Sequence, residues 1–133
     1  MSVWLPVKRA TILLPSGPAQ DADRKHLFIV LTNPAAEDDK VLIVPVNTVV
    51  DGVTHDGSCH LYYQDHLFIE HKSFVKYRFL RLQSAEKLCG GVDCGWFSPQ
   101  EDLSQEVFDR VCHGLVMSKH TPPSMNTFYC NAD

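Results

Sequence analysis

A chain of 133 residues is long enough to bury a core and short enough to form one domain, residues 1–133. With 44% hydrophobic and 21% charged residues it has the make-up of a folded globular protein, which excludes a disordered polymer. The net charge of −4 excludes a protein that coats DNA through bulk positive charge. A local basic patch drawn from Arg9, Lys25, Lys72, Lys76, Arg78 and Arg81 stays compatible with a short nucleic acid.

No apolar run approaches the thickness of a bilayer, and the longest, residues 41–46, is strand-sized, so no membrane association is expected. Met1-Ser2-Val3-Trp4 has no basic region followed by an apolar stretch, and no signal peptide is expected. Five cysteines, an odd count, read as free thiols of a cytoplasmic protein rather than as a disulfide framework.

Residues 10–14 read as a first strand, stopped by Pro15-Ser16-Gly17-Pro18. Residues 19–25 form a polar, acidic loop. Residues 26–32, a continuous apolar run, read as a central strand. Residues 40–48 are the next strand. Pro45 has no amide to donate, so this strand should lie at an edge or bulge there. Asp51-Gly52 and Asp56-Gly57 are turn dipeptides. A short strand is expected over residues 59–63, a helical turn over 69–75 and a strand over 77–83. Residues 89–95 look like a flexible glycine-rich loop. Ser98, Pro99 and Glu101 spell a capping box that opens a helix ending near Ser118, with Leu103, Val107, Phe108, Val111 and Leu115 on one face. A tail follows from about residue 119 to 133, and residues 124–133 are expected to be poorly ordered unless a partner holds them. Several short strands followed by one helix point to a mainly β fold, a compact barrel closed by a C-terminal helix.

The layout resembles the MazF/PemK-like toxins, which share an SH3-like barrel with CcdB. The resemblance covers most of the chain in outline. Residues 24–32, Arg-Lys-His-Leu-Phe-Ile-Val-Leu-Thr, are similar to the family's "RPAVVLS" strand. Residues 41–48, Val-Leu-Ile-Val-Pro-Val-Asn-Thr, are similar to "VIVAPIT". Residues 73–88 are similar to the segment "SVVxxxxIRTVSxxRL". The family's usual first loop, Glu-Gln-x-Gly-x-Arg-Pro, is replaced here by Asp21-Ala22-Asp23-Arg24-Lys25-His26, without the glycine and the proline.

The resemblance implies an SH3-like barrel with a C-terminal α-helix, acting as the toxin of a toxin–antitoxin system. The implied activity is an endoribonuclease that cleaves single-stranded RNA through the 2′-hydroxyl, with no metal or other cofactor. By position Arg24 matches the family's loop arginine, suited to holding the scissile phosphate bidentately. Thr48 matches the hydroxyl after the third strand. His26, His66 and His71 are candidates for proton transfer, and Lys25, Lys72, Ser73, Lys76 and Arg78 for RNA binding. The implied partners are a second copy of the chain, forming a homodimer, and a cognate antitoxin protein covering the RNA groove.

Residues 59–73 are the most unusual stretch, with one thiol, three imidazoles and two carboxylates. Three readings stay open. Cys59, His66 and His71 are donors suited to zinc, although no CxxC or HxxxH pair is present. His66 and His71 could flank a phosphate as base and acid, with Asp65 or Glu70 orienting a ring. Or the stretch is a structural loop whose imidazoles bond backbone carbonyls. Beyond the nuclease, the composition also suits a noncatalytic SH3-like binding module, or a metal-dependent enzyme built on Cys59–His71.

Overall fold

The computed structural model describes residues 3–17, 19–21 and 24–132. Pro18 of the breaker cluster, Ala22 and Asp23 of the acidic loop, Met1-Ser2 and Asp133 lie outside the described residues.

The strands are β1 (Thr11–Pro15), β2 (Lys25–Val30), β3 (Lys40–Thr48), β4 (His60–Leu61), β5 (Ser73–Val75), β6 (Arg81–Ser84) and β7 (Ser98–Gln100). They form one seven-stranded sheet in the order β4-β5-β3-β2-β1-β7, with β6 also paired to β3. Every pairing is antiparallel. The first half of β3 pairs with β6 over Lys40 to Ile43, and its last residues pair with β5 over Val46 to Thr48. Pro45 falls between those two pairings, so its missing amide breaks no ladder bond on that edge. Its carbonyl is used there, accepting from the Lys76 amide at 3.0 Å. The proline thus sits in a central strand, at the point where one neighbour gives way to the next.

Both faces of β2 and β3 are covered, which is why these strands are continuous apolar runs rather than alternating ones. Leu27, Ile29, Leu42, Val44 and Val46 join Val107, Val111 and Leu115 in one core. Phe28, Val30, Val41 and Ile43 join Ile12, Leu14, Ala85 and Leu88 in the other.

Among the described residues three α-helices, not one, close these cores: α1 (Ala85–Asp93), α2 (Gln105–Met117) and α3 (Pro123–Asn131). The stretch expected as a glycine-rich loop is largely α1, capped by the Ser84 side chain accepting from the Lys87 amide. Gly91 is required within it, because a Cβ there would overlap the Phe97 ring. The capping box at Ser98 is not a helix start. Residues 98–100 pair with Leu13 to Thr11, and the exposed edge of β1 outcompetes the local signal. The helix begins after Ser104, whose side chain accepts from the Val107 amide. Its buried face holds Val107, Phe108, Val111 and Leu115, as expected, while Leu103 is buried ahead of it. The tail is helical as well, with Met125, Phe128 and Tyr129 packed on the first core. Residues 77–79 form a 3-10 turn before β6, and the expected helical turn at 69–75 ends in β5 instead.

Among the described residues no helix is long and apolar enough to cross a membrane.

Candidate nucleic-acid interface

The second core does not run the length of the sheet. Beyond Phe28 and Pro45 the same face opens into a groove made of two adjoining cavities. One, of about 500 Å³, is lined by Ser16, His26, Phe28, Pro45, Asn47, Arg78, Phe79, Leu80 and Arg81. The next, of about 410 Å³, shares Asn47 and Arg78 and adds Thr48, His55, Asp56, Phe74, Lys76 and His120.

Register explains the floor. Asn47 lies opposite Phe74, and Phe74 opposite His60. The β2–β3 pairing, continued one step past Leu27↔Val46, sets His26 beside Asn47. A row of His26, Asn47, Phe74 and His60 therefore crosses four strands, with neighbours about 5 Å apart. No two of these residues are close in sequence.

His26 is half-buried at one end of this row, and its Nδ1 lies 2.7 Å from the Ser16 hydroxyl. Burial, then the Arg24 guanidinium and the Lys76 ammonium, hold its pKa below the usual 6.5. The ring is thus biased to the neutral form. The Lys76 ammonium sits 4.2 Å over the Phe79 ring, and the Arg81 guanidinium 4.9 Å over Phe28. Phe79 is 51% exposed among these cations. Asp56 is the one carboxylate lining either cavity, and it accepts from Ser118 and Ser58. A chain of net charge −4 thereby presents a locally cationic groove.

The residues marked in the sequence divide between this groove and the rest of the molecule. Arg24 is exposed beside His26, and Thr48 lines the far cavity. Lys76 and Arg78 line the groove as well. Lys25 points to the opposite face, its ammonium 3.4 Å from the Ser98 hydroxyl. Lys72 is exposed near His60. Ser73 is buried and donates to the His71 carbonyl, so its hydroxyl is already engaged. Arg9 bonds the Leu103 carbonyl at 2.8 Å and lines neither cavity.

The histidine and cysteine stretch does not converge. His66 is buried, its Nδ1 accepting from the Phe68 amide at 3.0 Å and its Nε2 bonded to the Glu101 carbonyl at 2.7 Å. The Thr11 hydroxyl lies 3.1 Å from the same Nε2. Both ring nitrogens are spent on structure, which removes His66 from proton transfer. His71 is exposed and lines neither cavity. Cys59 is buried against α2, and burial pushes its thiol pKa up, the reverse of what a nucleophile or metal ligand needs. Among the described residues no three metal-ligating side chains come together, so Cys59, His66 and His71 do not form a zinc site.

Ser16, Asn47, His55, Phe79 and His120 carry no mark in the sequence, yet all line the groove. Alternation along β2 and β3 would have put His26 and Asn47 on one face had the pairing been known.

No model of a known protein family matches the chain, and no curated protein matches it.

Proposed function

We propose that the chain is a MazF/PemK-like protein built on an SH3-like barrel, and that it cleaves single-stranded RNA in the groove of His26, Lys76, Arg78 and Arg81. The observation that carries the reading is a half-buried histidine, its Nδ1 beside the Ser16 hydroxyl and its pKa lowered by burial, lining an open groove with Arg78, Arg81 and an exposed aromatic ring. Cation and exposed ring side by side suit an unpaired strand, which needs charge for its phosphates and a face for its bases.

In this reading neutral His26 takes the proton of a 2′-hydroxyl. The 2′ oxygen attacks the adjacent phosphorus, the bond to the 5′ oxygen breaks, and that oxygen takes a proton from water. The products are a 2′,3′-cyclic phosphate and a 5′-hydroxyl. Arg24 pairs with the phosphate as charge builds on it, and Thr48 donates a hydrogen bond to a phosphate further along the groove. A second copy of the chain and an antitoxin that covers the groove are part of the same proposal.

The test is incubation of purified protein with single-stranded RNA at neutral pH in the presence of a chelator. Cyclic-phosphate ends are expected, together with arrested growth on expression. Replacing Arg24 and Thr48 with Ala should lower cleavage by roughly a hundredfold or more while the protein stays folded. Intact RNA and normal growth overturn the enzyme. RNA that is bound but not cut leaves a noncatalytic binding module in its place.

A further inference from the structure

The far cavity of the groove holds a feature that the cleavage step does not use. His55 and His60 are bonded directly to one another, Nε2 to Nε2 at 2.8 Å, with ring centroids 5.0 Å apart and planes at 73°. His55 also lies against Phe74, at 5.0 Å between centroids. His60 is fixed by β4 opposite Phe74, and His55 is half-buried in the loop that precedes β4. Two imidazoles in this contact must share one proton, because one nitrogen has to donate and the other accept. The pair can take up one further proton on a nitrogen outside the bond and keep the bond intact. It then becomes an imidazolium donating to an imidazole and carries a single positive charge.

The surroundings set what that charge would meet. Lys76, Arg78 and His120 line the cavity with His55, and Asp56 is the one carboxylate there. Lys72 faces His60. On its other side His60 borders a separate cavity with Glu106, Asp109, Arg110 and His113, where Arg110 is drawn to Asp65 and to the His60 carbonyl. A positive charge added beside Lys72, Lys76 and Arg78 is opposed while the cavity is empty, and an anion in it relieves that opposition. The row across the strands puts the pair two to three residues from His26, about 10–15 Å away. That is too far to act on the phosphate beside His26 and within reach of a phosphate one or two nucleotides along the strand.

We propose that the His55–His60 pair is a second phosphate-binding subsite, taking up one proton as it engages a phosphodiester next to the scissile one. The inference rests on the groove being the nucleic-acid site. It adds that the footprint extends past the cleaved bond and that affinity for the strand strengthens as pH falls.

The probe is a single-stranded hexadeoxynucleotide pool of randomised sequence, which lacks the attacking hydroxyl and is not cut. Its affinity is measured by fluorescence anisotropy between about pH 5.5 and 8, where one proton taken up gives up to tenfold in affinity per pH unit. Wild type should gain affinity as pH falls. His55→Gln and His60→Gln should each lose a large part of that gain while binding like wild type at the alkaline end. His113→Gln, on the other side of His60, should keep the wild-type profile. Profiles of His55→Gln and His60→Gln that match wild type overturn the subsite and leave the cleavage reading standing. No binding by wild type at any pH, with RNA also left uncut, overturns both.

Discussion

At the scale of single residues, side chains of one type take unlike roles according to what surrounds them. His26 keeps Nε2 free of any hydrogen bond among the described residues, while His66 spends both nitrogens on the Phe68 amide and the Glu101 carbonyl. Replacing His66 with Leu should therefore cost about 1–3 kcal/mol, because it leaves the Phe68 amide without its acceptor and removes a buried partner of the Glu101 carbonyl and the Thr11 hydroxyl. Chemical denaturation checks the cost, and RNA cleavage by the folded fraction should be unchanged. The sequence marked both histidines, but only neighbours remote in the chain separate them. His66 is bonded to residues 55 and 35 positions away, and no local pattern encodes such a contact.

At the scale of elements, long apolar strands were legible and short ones were not. The bounds of β3 agree with the run read from the sequence, and β2 differs from its expected run by one residue at its start and two at its end. Strands β4, β5 and β7 are two or three residues long and owe their shape to the partner edge. The same competition turned the capping box at Ser98 into an edge strand. Helix α2 depends on a close approach that its own sequence does not announce. The Tyr77 hydroxyl reaches over Gly114 to donate to the Val111 carbonyl at 2.6 Å. A Cβ at Gly114 would overlap that hydroxyl and crowd Cys59. Gly114→Ala, which helix propensity alone would favour, should instead destabilise by about 1–3 kcal/mol. A thermal melt decides the sign.

At the scale of the whole molecule, charge and titration give two expectations. Burial and neighbouring cations hold His26 below pH 6.5, and burial with Lys72 and His55 does the same to His60. Just below that pH the native state binds fewer protons than the unfolded chain, so stability rises with pH there and levels off above about 6.5. The urea midpoint should climb from about pH 5 to 6.5 in wild type and climb less in the His26→Gln, His60→Gln double variant. A midpoint that falls over this interval contradicts the assignment. The second expectation concerns salt. With three or four phosphates in the groove, the logarithm of affinity for a single strand should fall with the logarithm of salt at a slope of roughly −2 to −3. A slope near zero contradicts a cationic interface.

The amino-acid sequence by itself determined a mainly β core and the amphipathic face of α2, because hydrophobic periodicity is a local property that neighbouring residues express together. Only the tertiary structure decided that His26, Asn47, Phe74 and His60 share one row, that His55 meets His60, and that His66 and Cys59 are sealed away from them. Strand register brings about those meetings, and register depends on which edges pair across long stretches of chain, a choice settled by the burial of both sheet faces at once rather than by any single segment.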